Sequence, residues 1–351
     1  MFSMGGNKAH AARKRMLRLV YGKAFVVGNE ALLAQVASIL YDRFLPRLNA
    51  TLSEAEPGVL DIYALLSGAT MDIVTGYLFG LKAGSNLLDD PRQLAWFLDL
   101  YHSRRPFSFW AQELPAFAAF LETWLGLRMT PKWVDDANRQ IEKWTTDMCD
   151  AAEEVVKDGV ARPEHLPVVY QHISHALAHD TGKEATLPKE MVASEVLDHL
   201  AAGFDTSSIT LVYVVHQLSK NKAVQEGLHK ELLALATPLT PSSSPLLPDP
   251  KTLDELPLLH AILWETLRLH PAIPGPQPRF TPPQGCHLGP DATYFVPGGV
   301  RVSASAGLLH RNEDVYERAD EWRPERWLQL ERLDAEKRKD METRWFWAFG
   351  R

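Results

Sequence analysis

The sequence predicts a mainly α protein with a minor β part near its C-terminal end, and three observations carry that prediction. Apolar residues recur at helical spacing in one segment after another over the first two-thirds of the chain. One stretch, Lys189–Lys220, reads as a single long central helix opened by Pro188. Past His270 the texture changes to Pro- and Gly-rich sequence with the short β-like runs Thr293–Val296 and Val300–Ala304.

Each element follows from its own pattern. Ala31–Leu48 places Leu32, Val36, Ile39, Leu40 and Phe44 near a 3.6-residue period. Leu60–Leu81 is apolar almost throughout, which suits a core helix ending near Gly84. Arg92–Ser103 is amphipathic through Trp96, Phe97 and Leu100, and Val134–Val156 alternates apolar and charged residues at helical spacing. After the long helix come Asn221–Ala236, the Pro/Ser-rich stretch Thr237–Pro250, and a last helix over Leu256–His270. The Pro/Ser stretch lies between helices and reads as a surface loop inside one domain rather than a linker. No internal repeat occurs, and residues 1–351 are expected to form a single domain.

Composition bounds the function. The 351 residues are 46% hydrophobic and 23% charged, ordinary for a globular chain with a sizeable core. Lys+Arg 37 against Asp+Glu 44 leaves −7, with no long basic tract, so nucleic acid is excluded as an expected partner. Two cysteines, Cys149 and Cys286, lie far apart without a CxxC pairing, which excludes a disulfide scaffold and a cysteine-rich zinc site. His172, His175 and His179 share a helical face, but their polar segment reads as a solvated face, and no metal site is expected. The run Val196–Val215 is broken by Asp198, His199, Asp205 and Thr206, so it reads as a buried core helix and not a membrane span.

Two constellations stand out. Glu265 and Arg268, three apart, share a helical face among Leu258, Ile262, Leu263, Leu267 and Leu269. A buried pair needs more partners for the guanidinium's five donors, and Trp322-Arg323-Pro324-Glu325-Arg326-Trp327 is the expected source. In the long helix, Ala202-Gly203-Phe204-Asp205-Thr206-Ser207 sets a glycine, an acid and an alcohol in mid-helix. Glycine there costs about 1 kcal/mol relative to alanine, so another body is expected to approach closely. The competing reading is a kink with locally satisfied side chains.

Together with Pro324-Glu-Arg-Trp327 and Phe349-Gly-Arg351, these motifs, in this order and spacing, resemble the cytochrome P-450 superfamily of heme-thiolate monooxygenases, in wording close to fungal microsomal members. The resemblance covers essentially the whole chain. It implies a P-450 fold, incomplete here, with the long central helix over the heme. It implies that Asp205 and Thr206 relay protons at the catalytic centre, and that Ala202 and Gly203 let the helix approach the porphyrin. Glu265, Arg268 and Arg326 match a buried structural triad. Arg279, His10 and Lys14 match positions near the heme propionates, with Lys14 standing where the family usually has Arg, and Phe349 opens the heme loop. Leu200, Ala272, Ile273 and Pro274 are expected to line the substrate pocket.

The same resemblance implies heme as cofactor, O2 and a hydrophobic small molecule as substrates, and NADPH electrons delivered by a flavoprotein reductase. It implies an endoplasmic-reticulum location on the cytosolic face. Both ends read as cut. The N-terminal anchor and first sheet strands are expected to be missing, and the axial thiolate Cys is expected beyond Arg351. The alternative expectation is a non-catalytic helical fragment or pseudoenzyme.

Overall fold

A computed structural model describes residues 11, 14, 15, 17–54, 61–159, 162–181 and 189–350. The chain forms two compact units. One comprises Met1–Asp205 with Leu239–Leu247, the other Thr206–Pro238 with Pro248–Arg351.

The first unit is helical. After α1 (Lys23–Gly28), α2 (Glu30–Ser38) runs through a wider turn at Ile39–Phe44 into α3 (Leu45–Glu54). Then come α4 (Ile62–Phe79), α5 (Pro91–Ser103), α6 (Ser108–Glu113), α7 (Pro115–Leu125), α8 (Lys132–Asp158) and α9 (Val168–Thr181). Helix α4 is the core element. Its Asp61 cap accepts the Tyr63 N–H at 3.0 Å, and Met71, Leu78 and Phe79 are wholly buried. It is long and apolar enough to cross a membrane by length and composition, yet most of it is buried against its neighbours, α8 and α9 among them. It stops at Gly80, whose φ of 76° and backbone contact with His165, 2.2 Å from where a Cβ would lie, both require glycine.

One polar residue sits inside that apolar helix. Asp72, fully buried, accepts hydrogen bonds from the Ser85 hydroxyl at 2.6 Å and from the Leu87 and Leu88 N–H groups at 2.8 and 3.1 Å. Arg43 lies 3.6 Å away. Burial raises the Asp72 pKa against these opposing contacts. The carboxylate thereby pins the turn after α4. The Pro/Ser loop is held to the same unit, with the Tyr41 hydroxyl donating to the Leu246 carbonyl at 2.7 Å.

The long helix α10 (Lys189–Lys220) matches its expected bounds, and the boundary between units falls within it, after Asp205. The second unit continues with α11 (Lys222–Leu233), α12 (Pro250–Asp254) and α13 (Pro257–Leu269). Its β part is two antiparallel pairs. β1 (Pro276–Phe280) pairs with β4 (Arg301–Ser305), and β2 (Cys286–Leu288) with β3 (Tyr294–Val296). Short helices α14 (Ala306–Leu309), α15 (Glu325–Leu328) and α16 (Ala335–Lys339) follow. The aromatic terminal segment is partly covered from within this unit. Phe346 is buried, 4.5 Å from the Trp264 ring centroid and 5.7 Å from that of Trp327.

Candidate functional site

The second unit contains the most tightly built cluster. Helix α13 turns Glu265 and Arg268 to one buried side, where both side chains are fully excluded from solvent. Arg268 donates Nε to Glu265 Oε2 at 2.9 Å and Nη2 to Oε1 at 2.7 Å. Its other donors reach the His310 and Ala319 carbonyls, both at 2.7 Å, and the Glu321 carbonyl at 3.0 Å. The expectation that 322–327 completes the guanidinium is therefore corrected, because backbone carbonyls of the preceding loop take those protons. The 322–327 segment completes the carboxylate. Glu265 accepts the Arg323 N–H at 2.8 Å, Arg326 Nε at 3.1 Å and Trp327 Nε1 at 2.8 Å. The structure thus brings Glu265, Arg268 and Arg326 together and adds Trp327. Charge-assisted hydrogen bonds on every lone pair are what make such a buried pair tolerable.

Sequence reasoning missed His310. It is fully buried; Nδ1–H donates to the Arg268 carbonyl at 2.8 Å and Nε2 accepts the Trp347 N–H at 2.7 Å. Burial, with the Arg268 and Arg311 charges beside it, pushes its pKa down to about 4 against an opposing hydrogen bond to Arg268. No periodicity singles out this residue, which follows the sheet in an irregular turn. His270 is the other depressed histidine of this unit, pushed down to about 4 chiefly by burial; it stacks on Tyr213 at 4.0 Å.

The α10 motif is gripped residue by residue in the first unit. A Cβ on Gly203 would lie 2.8 Å from Val74 Cγ2, so the body that approaches closely there is α4. The Thr70 hydroxyl donates to the Phe204 carbonyl at 3.2 Å. Asp205, buried, forms an ion pair with Arg105 and receives the Tyr101 hydroxyl at 3.5 Å. Ala202 is half-buried. In the second unit, Thr206 is half-buried and its carbonyl accepts the Thr210 hydroxyl at 2.8 Å.

The remaining expected residues scatter. Leu200 is 1% exposed within the main core cluster of the first unit. Ile273 is 59% exposed and Ala272 half-buried. The exposed Pro274 holds the sheet connection, its carbonyl accepting the Ser305 hydroxyl at 2.6 Å and the Gly307 N–H at 2.9 Å. Arg279 lies exposed on β1 and donates Nη1 to the Pro278 carbonyl, while Phe349 is 80% exposed. His10 and Arg351 lie outside the described residues. Cys149 is buried beside Met148 and Ala152 in the core, and Cys286 is half-buried at the start of β2.

Lys14 is exposed at the edge of a cavity of about 680 Å³ in the first unit, lined also by Arg15, Leu17, Arg18, Tyr21 and His199. The Tyr21 hydroxyl meets His199 Nδ1 at 2.5 Å, and the buried Nε2 has no hydrogen-bond partner among the described residues. Burial pushes the His199 pKa down to about 4, so the ring is neutral at pH 7.

The family model described as Cytochrome P450 matches residues 1–350. The chain belongs to the cytochrome P450 family. Among relatives, it is 26% identical over 94% of its length to cytochrome P450 monooxygenase avaI of Aspergillus versicolor, covering 71% of that protein. It is 32% identical to cytochrome P450 monooxygenase hkm5 of Aspergillus hancockii over 42% of this chain and 28% of that one. Human mitochondrial 25-hydroxyvitamin D-1 alpha hydroxylase is 32% identical over 50% of this chain and 32% of its own. Several of these matches therefore span about a third of the relatives' length or less. Membership of the P450 family implies a heme cofactor, and the mainly helical architecture with its small antiparallel sheets accords with the P450 fold.

Proposed function

We propose that the whole protein is a heme-thiolate monooxygenase that inserts one atom of O2 into a hydrophobic organic substrate, with electrons from NADPH delivered by a flavoprotein reductase. The observation that carries this reading is the family match along residues 1–350. The heme, when bound, supplies the one-electron and dioxygen chemistry that no side chain can perform.

The residues of the first unit suit such a group. Heme is a flat apolar body bearing two carboxylates, and the 680 Å³ cavity joins apolar wall to Lys14, Arg15 and Arg18. The buried Nε2 of His199, which lines the same cavity, has no hydrogen-bond partner among the described residues. In this reading Lys14, Arg15 and Arg18 hold the carboxylates. Asp205 and the Thr206 hydroxyl relay protons in this reading. Glu265, Arg268, Arg326 and Trp327 do no chemistry; they fix the loop that precedes α15.

Placement at the endoplasmic-reticulum membrane belongs to the same proposal. Its support is the exposed apolar surface of α6 and α7, where Phe109, Phe117, Phe120, Trp124 and Leu125 face outward. The test of function is spectroscopic. The whole protein, expressed with heme supply and reduced under carbon monoxide, is expected to show the strongly red-shifted band of thiolate-ligated heme. Absence of heme binding, beside a family control that binds it, would overturn the proposal in favour of a non-catalytic helical protein.

A further inference from the structure

A smaller cavity of the first unit, about 260 Å³, lies among α3, α4, α5 and the turn that leads into α5. It shares no lining residue with the cavity beside Lys14. Five leucines line it: Leu65 of α4, Leu87 and Leu88 of the turn, and Leu94 and Leu98 of α5. The last two are four apart and so fall on one face of that helix.

Part of this wall is fixed from behind. The wholly buried Asp72 carboxylate holds the Leu87 and Leu88 N–H groups at 2.8 and 3.1 Å. The turn therefore cannot collapse into the space it borders without leaving a buried carboxylate short of donors. The cavity is preformed.

Charge selects the class of ligand. Arg47 and Asp61 are the charged residues among those that line the cavity, one of each sign, so no net charge favours an ion. The other polar contacts are local. The Thr51 hydroxyl donates to the Arg47 carbonyl at 2.8 Å, and Asp61 accepts the Tyr63 N–H at 3.0 Å. What remains to meet a ligand is mainly aliphatic surface. An apolar cavity of about 150 Å³ takes benzene, and at 260 Å³ this one has room for a bicyclic hydrocarbon.

We propose that this cavity is an accessory site for one small neutral hydrocarbon, up to bicyclic size, held by the leucine wall. The proposal goes beyond the monooxygenase reading and does not rest on it. Its position gives it a consequence. Helix α5 also carries Tyr101, whose hydroxyl meets Asp205 at 3.5 Å, so an occupant packs against the helix that touches Asp205.

The test is nuclear magnetic resonance of leucine-methyl-labelled full chain at neutral pH, with naphthalene, naphthoate and naphthylmethylammonium as the neutral, anionic and cationic probes. Naphthalene is expected to shift the methyl resonances of Leu65, Leu87, Leu88, Leu94 and Leu98 saturably. It should bind at least about tenfold tighter than either ion, because an ion must leave water for an aliphatic wall. Ala95, exposed on α5 and part of the lining, allows the space to be filled without disturbing the core. Ala95→Phe should abolish the shifts, while Ala118→Phe, in a separate cavity under α7, should leave them intact. Unmoved leucine methyls in the wild type overturn the proposal, whatever the stability of the variants. So does an ion that binds as tightly as naphthalene, or a set of shifts that survives Ala95→Phe. None of these outcomes depends on the carbon monoxide band, so failure of this site and failure of the monooxygenase reading are told apart.

Discussion

His310 couples acid to the stability of the second unit. Both ring nitrogens are committed, Nδ1–H as a donor to the Arg268 carbonyl and Nε2 as an acceptor from the Trp347 N–H. Protonation would set an Nε2–H against that N–H and break the bond. The folded pKa of about 4 lies below the ordinary 6.5, so between those values the unfolded chain binds a proton that the folded chain refuses. The contribution is fully present above pH 6.5 and is lost as pH falls towards 4. A shift of this size amounts to roughly 3 kcal/mol, with a slope approaching 1.4 kcal/mol per pH unit in the window. Urea unfolding from pH 7.5 to 4 should therefore show a stability loss that His310→Gln, which cannot titrate, reduces by about one proton's worth. The half-buried His270, also near 4, supplies the smaller remainder in this unit. Hydrogen exchange gives the local reading: protection of the Trp347 amide should collapse in the same window. An unchanged pH dependence in His310→Gln, with Trp347 protected at pH 4.5, would refute the argument.

Three further outcomes follow from the geometry. Arg268→Ala or Glu265→Ala leaves a buried charge unpaired and should cost about 3–5 kcal/mol, Arg268→Lys nearly as much, and Trp327→Phe about 1.5–3 kcal/mol by removing one bond to the carboxylate; wild-type melting temperatures in the alanine variants would show the network to be idle. Gly203→Ala should destabilise by about 1–3 kcal/mol through overpacking, and Val74→Ala in the same chain should recover much of it, which thermal denaturation of the single and double variants checks. In the heme-loaded whole protein, Thr206→Ala should retain heme and substrate binding yet release peroxide in place of product, while Asp205→Asn should slow turnover; measuring product, peroxide and NADPH together decides, and unchanged coupling in the Thr206 variant removes it from the catalytic set.

What was legible in the sequence was whatever repeats within a helical turn. The extent of α13 and the Glu265–Arg268 spacing follow from periodicity, and Pro188 marks where α10 begins. Strands β1 and β2 were hidden because their Pro and Gly content reads as loop. Pro276 and Pro278 alternate, so both missing N–H groups fall on one edge of β1 and the other edge remains free to pair with β4. Helices α6 and α7 carry exposed aromatic residues on short segments, which gives no clear apolar face to read. The carbonyls that complete Arg268 and the histidine that ties Trp347 come from irregular loop, where backbone geometry and not residue type selects the partner.

The α10 motif shows how far one residue's chemistry depends on distant sequence. Gly203, Phe204 and Asp205 each meet a different group of the same unit, respectively the Val74 side chain, the Thr70 hydroxyl and the Arg105 guanidinium. The first two lie one helical turn apart on α4 and clamp the backbone of α10 at adjacent residues. A glycine there is thus explained by helix packing without invoking a cofactor, and the clamp fixes the height at which Asp205 emerges. Arg105 then meets that carboxylate as an ion pair, so the position of the Asp205 side chain is set by one residue of α10's own turn-by-turn packing and by a second that lies a hundred positions earlier in the chain.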